Sequence, residues 1–189
     1  MQSAQAAPQT ILVFGDSLSA GFGIAVDKSW PALLQDRLRQ EKLPYAVVNA
    51  SISGETTAGG KSRLPAALKQ HRPAVVILAL GANDGLRGLP LDPLRANLAA
   101  MAAEARTAGA RVLIAGMELP PNYGAAYTRQ FMAAFATVAQ QEKAALLPFL
   151  LEPIARDEAA FLPDRLHPTA AAQPRILDHV WRHLQPLLR

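Results

Sequence analysis

The chain contains the uninterrupted apolar stretch Ala74-Val75-Val76-Ile77-Leu78-Ala79-Leu80, which follows Pro73 and ends at Gly81. A strand with one face in water alternates apolar and polar side chains, whereas a strand covered on both faces is apolar throughout. The stretch therefore predicts the central strand of a sheet that helices cover on both sides.

Strand-like runs and stretches of helical periodicity alternate on either side of this central strand. Four further strands are predicted, at residues 10–15, 45–49, 111–117 and 145–150. Apolar residues at helical spacing predict helices around Leu34, Leu68, Leu98, Phe131 and Ile176. The alternation predicts an α/β protein with three layers, in which a mostly parallel five-stranded sheet lies between two layers of helices.

Local signals place several helix ends. Ser29 is predicted to cap the helix around Leu34, and Pro93 to open the helix around Leu98. Gly109 is predicted to end that second helix in a left-handed conformation. Open α/β sheets place their sites at the carboxyl ends of their strands, so functional residues are expected there.

Length and composition predict one domain. The chain has 189 residues, of which 50% are hydrophobic and 18% are charged, enough to bury a single core. We expect a flexible segment at residues 1–9 and one domain at residues 10–189. No apolar run is long enough to cross a bilayer. The absence of cysteine excludes disulfides, thiolate catalysis and cysteine metal sites.

The charge balance is mildly basic, with 19 Lys and Arg residues against 15 Asp and Glu residues. No stretch combines basic and aromatic residues as a nucleic-acid surface would, so no nucleic-acid partner is expected. The net charge of +4 predicts a weak, salt-sensitive attraction to anionic substrates or lipid surfaces.

The sequence Ala4-Gln5-Ala6 has the small-x-small form that precedes a signal-peptidase cut. One hypothesis is that a leader has been removed and that the protein is periplasmic or secreted. The alternative is an ordinary terminus, which leaves a cytoplasmic location open.

Ser17 directly follows the strand at residues 10–15, and the segment Asp164-Arg165-Leu166-His167 lies near the other end of the chain. A serine hydroxyl is a poor nucleophile unless a base removes its proton, and histidine, with a typical pKa of about 6.5, suits that task. Asp164 can reach the imidazole of His167 only if the segment is a turn or loop, which the flanking Pro163 and Pro168 favour. The alternative is that Ser17 only caps a helix.

Four sequence blocks occur in the same order as in the GDSL lipases and esterases. They are Gly15-Asp16-Ser17-Leu18-Ser19, Asn49-Ala50-Ser51-Ile52-Ser53-Gly54, Gly81-Ala82-Asn83-Asp84 and Asp164-Arg165-Leu166-His167-Pro168. From about Ile11 to the C-terminus the chain resembles this family in its SGNH hydrolase subgroup, and in particular the bacterial thioesterase I, lysophospholipase L1 and arylesterase group. The resemblance implies a flavodoxin-like SGNH hydrolase fold.

The resemblance also implies roles for individual residues. Ser17 would be the nucleophile, His167 the general base and then acid, and Asp164 the group that orients the imidazole. The backbone N–H groups of Ser17 and Gly54 and the side-chain amide of Asn83 would form the oxyanion hole. Arg165 departs from the family pattern, because many relatives have glycine there. The resemblance therefore does not establish the backbone conformation of this loop.

The implied function is a serine hydrolase that cleaves carboxylic esters and thioesters through an acyl-enzyme, as a monomer without cofactor or metal. Four loops, at residues 21–24, 85–90, 119–124 and 154–163, are expected to form an apolar acyl groove. Three alternatives are a carbohydrate O-deacetylase with the same triad, a metal-dependent phosphoesterase and a noncatalytic flavodoxin-like binding module.

Other polar residues have simpler interpretations. Gly54 and the Asn83-Asp84-Gly85 segment could be turns, and Asp16 and Asp84 are expected to bind local backbone N–H groups. His179 and His183 lie four residues apart and could hold zinc, but no third ligand is evident, so a solvated helix face is predicted.

Overall fold

A computed structural model describes residues 7–188 of the chain. Its sheet has five strands, all parallel, in the order β2-β1-β3-β4-β5. They are β1 (Gln9–Gly15), β2 (Tyr45–Asn49), β3 (Val75–Ala79), β4 (Arg111–Ala115) and β5 (Ala145–Leu147). The predicted fold class is confirmed.

Seven α-helices occur in the described residues: α1 (Ser17–Ala20), α2 (Trp30–Gln40), α3 (Thr57–His71), α4 (Ala82–Leu86), α5 (Leu91–Thr107), α6 (Ala125–Gln141) and α7 (Gln173–Leu184). Helix α5 packs against both α3 and α6, whereas α2 packs against α7. These two groups form the outer layers of the fold. No helix within residues 7–188 is both long and apolar enough to span a membrane.

Strands β1 and β3 lie side by side at the centre of the sheet, with Gly15 opposite Ala79. All five side chains of β3 are buried, and so are those of β1 from Ile11 onward. Helices on both sides contribute the largest fully buried side chains, Trp30 from α2 and Phe131 and Phe135 from α6. Burial on both faces explains why the two strands are apolar throughout.

Several predicted boundaries shift in the structure. Strand β1 begins at Gln9, one residue before its predicted start, and residues 1–6, with Ala4-Gln5-Ala6, lie outside the described part. Strands β4 and β5 end at Ala115 and Leu147, before the predicted ends. Short helices α1 and α4 were not predicted.

One predicted helix start is wrong, whereas another start and one helix end are confirmed. Ser29 occupies the N-cap position of α2, as predicted, but its side chain makes no capping bond and its hydroxyl donates to the Val26 carbonyl at 2.7 Å. Helix α5 starts at Leu91, two residues before Pro93. Gly109 has a φ of 90°, as predicted for the left-handed end of α5.

Candidate active site

The predicted site residues meet at the carboxyl edge of the sheet. Ser17 follows β1, Gly54 lies in the connection from β2 to α3, and Asn83 follows β3 on α4. Asp164 and His167 lie on the non-helical segment before α7. Ser17, Gly54, Asn83 and His167 line one cavity of about 150 Å³. Ser17 and Asn83, which follow the two central strands, therefore lie in the same cavity.

Ser17, His167 and Asp164 form a continuous line of hydrogen bonds. The Nε2 atom of His167 lies 2.8 Å from Ser17 Oγ, and its Nδ1 atom lies 2.7 Å from Asp164 Oδ2. An ionised carboxylate only accepts hydrogen bonds, so Nδ1 carries the proton and Nε2 is free to accept from the hydroxyl. In this arrangement, the imidazole can remove the proton of the serine.

Local hydrogen bonds shape the loop that carries the histidine. Asp164 Oδ1 accepts from the backbone N–H groups of Leu166 at 2.9 Å and His167 at 3.0 Å. These two bonds, the His167 one foremost, and the bond from the imidazole lower the pKa of Asp164 to about 2. The carboxylate therefore stays ionised throughout the neutral range, and the predicted turn is confirmed.

Arg165 adopts the conformation that glycine favours. Its φ is 57°, in the left-handed region. The side chain is exposed and lines a second cavity next to the site. The backbone of the turn therefore has the conformation typical of glycine although arginine occupies the position, and this costs conformational strain.

Asp16, not Ser17, caps the first helix. Its Oδ1 atom accepts from the N–H of Leu18 at 3.0 Å, as expected for a carboxylate that binds local backbone. Ser17 is the first residue of α1, so the alternative role as a cap is wrong. Asp16 is 1% exposed, and this burial raises its pKa to about 7.

Two of the three proposed oxyanion donors, Gly54 and Asn83, are held by neighbouring segments. Gly54 has a φ of 80°, which glycine adopts without strain. Asn83 Nδ2 donates to the Glu55 carbonyl at 3.0 Å and lies 3.4 Å from Asp16 Oδ2. The amide of Asn83 is therefore fixed against the same stretch of chain that contains Gly54.

Two further residues near α4 hold this stretch, and sequence reasoning missed their contacts. The Asp84 carboxylate accepts from the N–H of Thr57 at 2.9 Å and from its Oγ1 at 2.5 Å, so the expected local bonding of Asp84 is wrong. Arg87 donates to the Gly54 carbonyl at 3.1 Å. These contacts join residues 27 and 33 positions apart, and no local pattern signals them.

Phe22 lies in the loop at residues 21–24 that was expected to line the groove, but its contact with the base was not predicted. Its ring packs on the His167 ring with centroids 4.3 Å apart, and the residue is 49% exposed. The only available signal was an aromatic residue between Gly21 and Gly23. Phe22 forms an apolar wall beside the base.

The four loops expected to build one groove instead line two cavities. Phe22 and Leu86 line the cavity at Ser17, whereas Leu119 and Phe161 line a second cavity of about 330 Å³. Leu166 lines both cavities, so the two adjoin each other. The apolar character of the loops was predicted, but their division was not.

His179 does not belong to a solvated helix face, so that prediction is wrong. The residue is 8% exposed, and its Nε2 lies 3.0 Å from the carbonyl of Phe149. Burial lowers its pKa, and its ring packs edge-on against His183. No cluster of three or more residues that could bind a metal occurs within residues 7–188.

A comparison with family models gives one match, to the GDSL-like lipase/acylhydrolase family, over residues 13–174. Esterase TesA of Pseudomonas aeruginosa is 53% identical over 97% of this chain and 92% of its own length. Thioesterase 1/protease 1/lysophospholipase L1 of Escherichia coli strain K12 is 41% identical over 97% of this chain and 86% of its own length.

Among solved structures, the crystal structure of TesA superposes with a TM-score of 0.93 and 52% identity, covering 95% of this chain and all (100%) of that one. The fold and the family match therefore agree over nearly the whole chain. The chain belongs to the GDSL-like lipase/acylhydrolase family and is a carboxylic ester hydrolase.

Proposed function

We propose that the chain hydrolyses carboxylic esters and thioesters with Ser17 as nucleophile, His167 as base and acid, and Asp164 as the orienting carboxylate. The observation that carries the proposal is the unbroken hydrogen-bond line, 2.8 Å from Ser17 Oγ to His167 Nε2 and 2.7 Å from His167 Nδ1 to Asp164 Oδ2. It joins a nucleophile, a base and an anion in the order that acyl transfer requires.

In the first half of the reaction, Ser17 Oγ attacks the acyl carbon while Nε2 of His167 takes the hydroxyl proton. Negative charge develops on the former carbonyl oxygen, and the N–H groups of Ser17 and Gly54 and the amide of Asn83 stabilise it. The bond to the leaving oxygen or sulfur then breaks, and His167 returns the proton to that atom. The product is an alcohol or thiol and an acyl-serine.

The second half repeats these steps with water. His167 removes a proton from the water molecule as its oxygen attacks the acyl-serine, and the same donors stabilise the new oxyanion. The Ser17 bond breaks, and Ser17 recovers its proton from His167. One water is consumed and one carboxylic acid is released, while Asp164 remains ionised and stabilises the imidazolium in both halves.

The cavity at Ser17 supports an apolar acyl group. Leu18, Phe22 and Leu86 line it beside the polar Ser17 and Asn83, and its volume is about 150 Å³. We propose short to medium acyl chains as the substrates, with either oxygen or sulfur leaving groups. The name of the related thioesterase 1/lysophospholipase L1 is consistent with both leaving atoms.

A fluorophosphonate probe and p-nitrophenyl esters of increasing acyl length test the proposal. Ser17→Ala should abolish both labelling and hydrolysis, whereas Ser53→Ala, which alters another serine of the same cavity, should retain both. Hydrolysis should also be unchanged in EDTA. Labelling of a residue other than Ser17, or hydrolysis by Ser17→Ala above background, would show that the nucleophile is wrong.

We also propose a single-domain monomer that acts outside the cytoplasm. One chain supplies Ser17, Asp164 and His167, which supports the monomer. The small-x-small sequence Ala4-Gln5-Ala6 supports export. Sedimentation velocity tests the first point, and fractionation of expressing cells tests the second.

A further inference from the structure

Exposed apolar side chains gather around the mouth of the site. Five large apolar residues are exposed within residues 7–188, and they are Phe22, Val26, Ile52, Leu89 and Met132. All except Met132 lie on connections that follow the carboxyl ends of β1, β2 and β3, and we call these four the rim residues. Met132 lies on α6.

Phe22 and Ile52 adjoin the catalytic cavity through contacts, whereas Val26 and Leu89 lie in the connections that carry Phe22 and Leu86. Phe22 lines the cavity and packs on His167. Ile52 donates its N–H to the Gly15 carbonyl at 3.0 Å and directly precedes Ser53, which also lines the cavity. Leu89 lies two residues after Arg87, whose guanidinium binds the Gly54 carbonyl. Val26 lies in the same connection as Phe22.

Single exposed apolar residues are common on proteins, but their concentration at one edge is not. Val26 is 70% exposed, and Phe22 and Ile52 are about half exposed at 49% and 47%. Keeping such side chains in water is unfavourable, and transfer to a hydrocarbon environment removes that cost. The rim therefore favours an apolar partner that meets the mouth of the cavity.

The charges around the mouth favour an anionic partner. Arg87 and Arg165 are exposed, and no salt bridge in the described part of the chain involves either of them. Asp27 is paired with Lys28, whereas Asp164, which accepts from the neutral imidazole of His167, keeps its negative charge and offsets part of the charge of the neighbouring Arg165.

Two further acidic residues, Glu55 and Glu118, also affect the charge near the mouth. Glu55 is paired with Arg63, so it adds no free negative charge. Glu118 lines the second cavity together with Arg165 and offsets part of its charge. The chain as a whole carries a net charge of +4, so the balance still favours an anionic partner.

We propose that the rim residues, with Arg87 and Arg165, dock the protein on an anionic lipid surface, where Ser17 meets acyl groups held in that surface. This inference rests on the proposed function for its catalytic part only. A negatively charged bilayer attracts basic side chains near its surface, and the apolar rim enters the boundary between headgroups and acyl chains. A second copy of the chain is disfavoured, because a symmetric pair would bring the same arginines together.

Vesicle flotation with Ser17→Ala tests docking without hydrolysis. Binding to vesicles of phosphatidylglycerol and phosphatidylcholine should exceed binding to phosphatidylcholine alone, and raising the salt from about 50 to about 500 mM should weaken it, because the Debye length shortens. Adding Val26→Ser and Leu89→Ser should lower the bound fraction at least fivefold. Met132→Ser is the matched control and should leave the bound fraction unchanged.

Activity assays separate docking from catalysis. In the chain with Ser17 intact, the Val26→Ser and Leu89→Ser pair should hydrolyse dissolved p-nitrophenyl acetate at the normal rate but vesicle-bound esters more slowly. Equal vesicle binding by the rim and Met132 variants, or no vesicle binding at all, would overturn the inference. A dimer that the rim variant separates would assign the surface to a second copy instead. Hydrolysis by Ser17→Ala would refute the proposed nucleophile and leave docking intact.

Discussion

The carboxylate of Asp84 binds Thr57 twice, through the backbone N–H at 2.9 Å and through Oγ1 at 2.5 Å. Asp84 is 5% exposed, so the pair is shielded from water. The contact joins α4, which carries Asn83, to the first turn of α3, just after Gly54. Because the proposed oxyanion donors Gly54 and Asn83 lie on these two segments, the Asp84–Thr57 pair fixes their separation.

Replacing Asp84 is therefore expected to impair catalysis through donor placement. Asp84→Ala should lower kcat by about tenfold or more, since displacement of a catalytic group by about 1 Å can cost about a hundredfold. KM should change little, and Asp84→Asn should retain more activity. Asp92→Asn, an exposed carboxylate on α5, is the control.

A double-mutant cycle distinguishes positioning from general stability. In an Asn83→Ala background one donor is already missing, so Asp84→Ala should cost less than it does in the natural chain. Equal costs in both backgrounds would contradict the positioning role.

The raised pKa of Asp16 should make the stability of the protein depend on pH. Burial raises its pKa from 3.8 to about 7, so between these values the folded state holds a proton that the unfolded state has released. The free energy of unfolding therefore falls as pH rises from about 4 to about 7, by an amount on the order of 4 kcal/mol from this group. Asp16→Asn should remove that decline, as urea denaturation at pH 4.5 and 7.5 can measure.

The matched control for this experiment is Asp27→Asn, because Asp27 is an exposed carboxylate in the following connection. It should leave the pH dependence as it is in the natural chain. If Asp16→Asn and Asp27→Asn gave the same slope, Asp16 would not be the titrating group.

Replacement of Arg165 by glycine is expected to stabilise the protein. Its φ of 57° disfavours any side chain with a Cβ atom, at a cost of about 1–2 kcal/mol. Arg165→Gly should therefore raise Tm, by about 2–4 °C for each kcal/mol in a chain of this size. Arg165→Ala removes the charge but keeps the strain, and it should show no such gain in calorimetry.

Gly116, directly after β4, leaves no room for a side chain. A Cβ atom built there would lie 2.2 Å from the backbone oxygen of Pro148, which cannot move aside as a side chain can. Gly116→Ala should destabilise the fold by about 1–3 kcal/mol, measured by urea denaturation. Gly59→Ala on α3 meets only the Glu55 side chain and should be neutral or stabilising.

The central strands could be predicted from local patterns, and the grouping of site residues from the family resemblance together with the parallel sheet. Continuous burial makes β3 apolar at every position, and parallel strands bring Ser17 and Asn83 to one edge. The short helices α1 and α4 could not be predicted, because 4 or 5 residues show no helical period. The Asp84–Thr57 pair, like the burial of His179, depends on tertiary contacts that no local pattern encodes.

The hydrogen bonds from the N–H groups of Leu166 and His167 to Asp164 hold the orienting carboxylate and the base of the site together. Bending of this loop therefore leaves the imidazole and its counterion aligned and varies a single coordinate, the gap between Nε2 and Ser17 Oγ. Movement of the loop would therefore interrupt and restore proton transfer, while the proposed oxyanion donors Gly54 and Asn83 across the cavity stay in place.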